Sequence, residues 1–84
     1  MSLQFTARAW EDYLYWHTQD KAMLRRINLL IRDIQRSPFE GVGQPEPLRF
    51  SLSGCWSRRI DTEHRIVFRV AGETLIVLQC RYHY

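Results

Sequence analysis

Two helical patterns and then several strand-like ones follow one another along the chain. The opening "SLQFT" alternates apolar and polar positions over a length that suits one strand. Thr6 is a candidate N-cap, and Trp10, Tyr13, Leu14 and His17 then recur at helical spacing, which predicts a first helix with these side chains on its packed face. "HTQD" interrupts the pattern. Asp20 is placed to cap a second helix, whose apolar stripe runs Met23, Ile27, Leu30, Ile31 and Ile34. Lys21, Arg25, Arg32, Asp33 and Arg36 fall on its other face, and Ser37 and Pro38 end it. So short a connection predicts an antiparallel helical hairpin, with both stripes used in core packing.

The segment "PFEGVGQPEP" is irregular, with three prolines and two glycines in ten residues. Four β-like runs follow it: "LRFSL", "CWSRRI", "HRIVFRV" and "TLIVLQCRYH". The breaks "SG", "DTE" and "AGE" are short enough for hairpins. The order β-α-α-β-β-β-β segregates helices from an antiparallel meander. It predicts one α+β domain over residues 1–84, with the helices on one sheet face.

Strand parity divides the side chains further. Trp56 and Ile60 share a face opposite Cys55, Ser57 and Arg59, and Ile66, Phe68 and Val70 share a face opposite Arg65, Val67 and Arg69. In the last run Ile76, Leu78 and Cys80 alternate with Val77, Gln79, Arg81 and, if the strand continues, His83. The even positions are apolar apart from Arg58. If the odd faces coincide, Arg59, Arg65, Arg81 and His83 converge on one side of the sheet, while Tyr82 goes with the apolar side.

Composition narrows the functional classes. A chain of 84 residues with 45% apolar and 13% aromatic side chains is a folded domain with a modest core. The first residues lack an apolar run behind a basic start, and the longest apolar run, Leu75 to Leu78, is too short to cross a bilayer. A cytoplasmic chain with no membrane attachment is expected, with Cys55 and Cys80 as reduced thiols. Residues 1–46 hold six basic and six acidic side chains, so the net charge of +3 lies wholly in the second half. There the cations are Arg49, Arg58, Arg59, Arg65, Arg69 and Arg81. Arginine pairs bidentately with phosphate, so a polyanion or an acidic protein segment is a reasonable partner.

No His, Cys or acidic residues occur at a metal-ligand spacing, and "EGVGQ" lacks the lysine and helix of a phosphate loop. An acid–base set remains. RNA cleavage without a metal needs a base for the 2′-hydroxyl, cations for the phosphate and an acid for the leaving oxygen. Glu46 lies between Pro45 and Pro47, on backbone stiffened from both sides, and suits the base. His83 suits the acid because histidine titrates near neutral pH. Arg59 and Arg65 suit the phosphate, and Tyr84 can stack on a base. Spacing alone leaves blander uses open: a loop glutamate in an ion pair, an exposed terminal histidine, solvated strand arginines. A non-catalytic basic module that binds RNA or an acidic peptide fits the same charges.

The blocks "WEDYLYW", "RSPFEGVGQPEPLR", "LSGCWSRRIDTEHRIVF" and "CRYHY" closely resemble the YoeB toxin family of the RelE superfamily. The resemblance implies a RelE-like fold and a toxin of a type II toxin–antitoxin pair. It implies a metal-independent, cofactor-free endoribonuclease that cuts mRNA in the ribosomal A site, leaving a 2′,3′-cyclic phosphate and a 5′-hydroxyl. Its implied partners are the ribosome with its mRNA and a cognate antitoxin, through which operator DNA is bound and the operon co-repressed; homodimerisation stays open. By the same resemblance Glu46 is the base, Arg65 the phosphate-stabilising cation and His83 the acid. Arg59 and Tyr84 are substrate contacts, as is Arg49, which stands where the family's familiar form has lysine.

Overall fold

The computed structural model describes residues 1–84. Strand β1 (Ser2–Phe5) leads into helices α1 (Ala7–Gln19) and α2 (Lys21–Arg36), followed by strands β2 (Glu46–Pro47), β3 (Trp56–Arg59), β4 (Arg65–Ala71) and β5 (Thr74–Gln79). The strands form one sheet in the order β1-β5-β4-β3-β2. The four later strands make the expected antiparallel meander, and β1 adds to its far edge parallel to β5. No helix is long and apolar enough to cross a membrane.

Both helices start where short polar side chains cap them. The Thr6 hydroxyl oxygen accepts from the Ala9 N–H, and the same hydroxyl donates to the Leu78 carbonyl at 3.0 Å, tying α1 to β5. Asp20 closes α1 through its own N–H to the Trp16 carbonyl and caps α2 by accepting from Ala22 and Met23. One residue thus makes the whole turn between helices. Ile27, Leu30 and Ile34 of α2 then bury against Ile66, Phe68, Leu75 and Val77 on one sheet face. Each such side chain contributes about 1.5–3 kcal/mol when fully buried.

The packed face of α1 differs from the periodicity reading. Trp10, Leu14 and His17 face solvent, and Ala9, Asp12 and Trp16 are the buried positions. Trp10 instead stacks on Tyr13, with ring centroids 5.7 Å apart and both rings edge-on to Phe5. Polar partners set this rotation. Asp12 accepts from the Cys80 N–H at 3.1 Å, and the Trp16 indole N–H donates to the Cys80 carbonyl at 2.8 Å. An apolarity count gives such bonds no weight.

Three strand expectations also change. "LRFSL" is not a strand: β2 ends at Pro47, and Phe50–Leu52 curl into a short 3-10 turn. Pro47 has no N–H to donate, which an edge strand tolerates. The last strand stops at Gln79 instead of running on to His83. Within it, a β-bulge lets Val67 face Gln79 while Phe68 faces Val77, so parity flips at Leu78. Leu75 and Val77, not Ile76 and Leu78, share the helix-facing core with Cys80.

After Cys80 the chain turns under a set of bonds. The Arg65 N–H donates to the Tyr82 carbonyl at 3.0 Å, and the Tyr82 N–H donates to Nδ1 of His64 at 2.7 Å. His64 stands edge-on to Trp16, with centroids 4.9 Å apart. Tyr82 adopts φ +67° and is half exposed, not a core residue. Arg81 lies over the Tyr15 ring at 3.4 Å from its centroid, so it leaves the arginine-bearing face it was expected to join.

Arg58, the one cation on the apolar parity, is wholly buried. Its guanidinium pairs with Asp33 of α2 and donates to the carbonyls of Ser37, Pro38, Glu40 and Val42. The carboxyl of Asp33 is held down at about 2 by its hydrogen bonds from Arg58, Arg36 and the Val42 N–H. A carboxylate whose pKa falls on folding contributes stability above its unfolded value, and that contribution is lost as pH falls toward the folded one.

Asp33→Asn is therefore expected to be less stable than the parent at pH 7. The gap should narrow steadily as pH falls from about 5 toward 2, as urea unfolding at each pH would show. A gap that stays constant across that window would contradict the assignment. Trp16→Phe is expected to cost about 1–3 kcal/mol, because the Cys80 carbonyl loses its donor. His64→Ala should speed amide exchange at Tyr82 while β4 stays protected. Unchanged exchange at Tyr82 would show that the His64 bond does not hold the tail.

Candidate active site

The sheet face turned away from the helices carries a polar cleft. Its walls are Gln44, Pro45, Glu46, Ser57, Arg59, Arg65, His83 and Tyr84. Strand register explains the gathering. Glu46 faces Ser57 across the β2–β3 pair, and Arg59 faces Arg65 across the β3–β4 pair. Paired residues point to the same side, so these groups share a surface. The turn after Cys80 brings the tail back over it. The tail, not strand extension, delivers His83 and Tyr84.

Glu46 enters β2 from a closely fitted loop. Gly43 (φ +84°) lies so near β3 that a Cβ there would sit 2.9 Å from the Arg59 carbonyl, and its own carbonyl accepts from the Arg59 N–H at 2.7 Å. Gly41 (φ +130°) leaves no room beside the Asp33 carboxylate. The loop is thus seated on the Arg58–Asp33 pair before it reaches the carboxylate. One oxygen of that carboxylate, Oε1, accepts from the Tyr84 hydroxyl at 2.9 Å, and its Oε2 makes no bond within the chain. The Ser57 hydroxyl lies 3.5 Å from the Tyr84 hydroxyl.

Arg65 is buried at the foot of the cleft. Its Nη1 donates to the carbonyls of Asp61, Thr62 and His64, which fixes the guanidinium by one edge. Its Nε and Nη2 make no bond within the chain and are not fully buried, and the residue lines the cleft. Arg59 is exposed and has no carboxylate partner within 4.0 Å. Two arginines placed opposite each other repel. An anion between them would remove that repulsion. His83 is exposed, with Nδ1 at 3.1 Å from the Tyr84 backbone oxygen and its ring 4.5 Å from the Tyr84 ring.

Arg49 stands apart from this cleft. It lines the neighbouring hollow formed by residues 46–52 and Tyr84. Glu46 and Tyr84 line both spaces, so the two adjoin across this bonded pair. Neither cysteine contributes: Cys55 and Cys80 are buried and unbridged, and burial pushes the Cys80 thiol up to about 12. No three His, Cys, Asp or Glu side chains converge anywhere in the chain.

Sequence reasoning missed several supporting residues. Ser57 read as one more odd-face position, and Asp12, Trp16 and His64 carried no signal. Their partners lie 68, 64 and 18 residues away in the chain, so no local spacing could reveal them.

Comparison with known proteins agrees with this architecture. The model of the YoeB-like toxins of bacterial type II toxin–antitoxin systems matches residues 5–84. Toxin YoeB of Escherichia coli K12 is 52% identical over 84 residues, covering 100% of both chains. A YoeB/ParE toxin from Agrobacterium tumefaciens superposes with a TM-score of 0.98 at 50% identity, covering 100% of both chains. The YoeB–YefM complex from Staphylococcus aureus contains a chain matched at TM-score 0.92 and 40% identity, over 100% of this chain and 98% of that one. The chain belongs to the YoeB-like toxins of type II toxin–antitoxin systems.

Proposed function

We propose that the chain is a ribosome-dependent endoribonuclease that cleaves mRNA in the ribosomal A site by metal-independent acid–base chemistry. The single observation that carries this reading is one cleft holding Glu46, Arg59, Arg65, His83 and Tyr84. In the proposed step Oε2 of Glu46 takes the proton of a 2′-hydroxyl, and that oxygen attacks the adjacent phosphorus. The free edge of Arg65, joined by Arg59, stabilises the charge that builds on the phosphorane. Protonated His83 gives its proton to the departing 5′-oxygen. The products are a 2′,3′-cyclic phosphate and a 5′-hydroxyl, with no net proton consumed.

The remaining groups place the reactants. The Tyr84 hydroxyl orients the Glu46 carboxylate through Oε1 and leaves Oε2 for substrate. Arg49, in the adjoining hollow, meets a neighbouring phosphate. The YoeB–YefM complex of the Staphylococcus relative supports an antitoxin of that kind as partner. With it this chain would occupy operator DNA indirectly and repress its own operon. The ribosomal substrate puts the chain in the cytoplasm.

Glu46→Ala and His83→Ala are each expected to slow single-turnover mRNA cleavage on programmed ribosomes by about 10²–10⁴-fold. Ribosome binding should be kept in both. Primer extension would locate the cut, and end-group analysis would identify the cyclic phosphate. Full cleavage by either variant would remove that residue from the acid–base pair. A chain that binds ribosomes without cutting would be a binding module instead.

A further inference from the structure

The loop between β2 and β3 presents an aromatic ring that the fold itself does not use. Phe50 is 92% exposed, the most exposed large apolar side chain in the chain. It packs against no other ring and belongs to neither the core nor its partly buried margin. Its backbone is held at φ +58°, a left-handed conformation that non-glycine residues seldom adopt. Both features disfavour phenylalanine at this position on stability grounds alone.

The loop is nevertheless ordered by its own backbone. The Leu48 N–H donates to the Cys55 carbonyl, Leu52 to Arg49, Ser53 to Phe50 and Cys55 to Leu52, all at 2.9–3.1 Å. None of these bonds needs the ring. They hold it at the rim of the hollow that Arg49, Glu46 and Tyr84 also line. That hollow shares Glu46 and Tyr84 with the cleft holding Arg59, Arg65 and His83. Arg49 has no carboxylate partner within 4.0 Å, so a cation free to meet phosphate stands beside an open aromatic face.

We propose that Phe50 is a stacking platform for one unpaired nucleobase of the RNA, next to the scissile bond, with Arg49 on that nucleotide's phosphate. This deepens the nuclease reading and rests on it. Stacking suits the geometry because every base offers a π-face, while the neighbouring phosphate meets the arginine. An apolar peptide would also cover the ring, but it has no use for the unpaired guanidinium beside it. RNA satisfies both groups at once, beside the Glu46 and Tyr84 that also line the candidate active site.

The test is single-turnover cleavage of mRNA on programmed ribosomes across a range of toxin concentrations, with Phe50→Ala, Phe50→Leu and Phe50→Trp. Phe50→Ala and Phe50→Leu are expected to raise the concentration for half-maximal cleavage by about 5- to 100-fold, and Phe50→Trp to stay near the parent. An abasic nucleotide is then placed at each A-site position in turn. At one position beside the cut it should penalise the parent by a similar factor and penalise Phe50→Ala no further. Circular dichroism melts of all variants should match the parent, since the ring is exposed.

Parent-like cleavage by Phe50→Ala or Phe50→Leu would overturn stacking, as would penalties that multiply at every position. Weakened antitoxin binding with cleavage unchanged would make Phe50 a peptide contact and refute the RNA assignment. A parent chain that leaves mRNA intact would sink the nuclease reading and this inference with it. That result is plainly distinct from a cleaving parent with an indifferent Phe50→Ala.

Discussion

The buried guanidinium of Arg58 is the constraint on which much of the molecule depends. It sits on the helix side of the sheet, where every neighbour in parity is apolar, yet it is wholly buried. A charge there is tolerable only when paired and hydrogen-bonded. Asp33 supplies the counter-charge from α2, and four carbonyls of the segment from Ser37 to Val42 supply the acceptors. Nε alone has no acceptor. The ion thereby orders a glycine- and proline-rich segment that has no regular structure of its own. Because Glu46 lies four residues beyond that segment, with Gly43 bonded to Arg59 between them, the carboxylate of the cleft inherits its position from an ion pair on the opposite side of the sheet.

A second anchor serves the other end of the cleft. Cys80 is gripped at its N–H by Asp12 and at its carbonyl by Trp16, and Tyr82 is gripped by Arg65 and His64. These bonds turn the tail so that its last two side chains return to the arginine-bearing face. The helix that faces the core therefore also positions the tail, and this is why α1 buries an aspartate at a position outside its apolar stripe. The cleft so assembled holds more positive than negative charge and sets two arginines opposite each other. Such an arrangement is costly in the free protein and would be relieved by an anion, which supports the polyanionic substrate proposed above.

Much of the architecture was legible in the residues. Thr6 and Asp20 are short acceptors placed just before helical patterns, and both cap the helices as expected. The stripe of α2, with Ile27, Leu30, Ile31 and Ile34, is buried as its spacing requires. The breaks "DTE" and "AGE" predicted hairpins, and β3, β4 and β5 follow them, while the "SG" break does not join two strands. The grouping of Arg59 with Arg65 needed only strand parity and a correct hairpin register. The errors share one cause. The rotation of α1, the bulge at Leu78, the curl after Pro47 and the left-handed Tyr82 are each decided by partners distant in sequence or by backbone strain that side-chain type does not announce.

Sequence by itself determined the inventory: a stiffened carboxylate, a surplus of arginine confined to one half, and a terminal histidine between two tyrosines. It also determined the α+β class, because period and capping are local properties of the chain. Tertiary structure alone decided which of those groups meet. It sent Arg81 to the Tyr15 ring and Arg58 into the interior, and it bonded Tyr84 to Glu46 across 38 residues. The physical reason is that burial and hydrogen-bond satisfaction are settled across the whole fold. A residue's pattern states which chemistry it carries, and only its distant neighbours state where that chemistry is held.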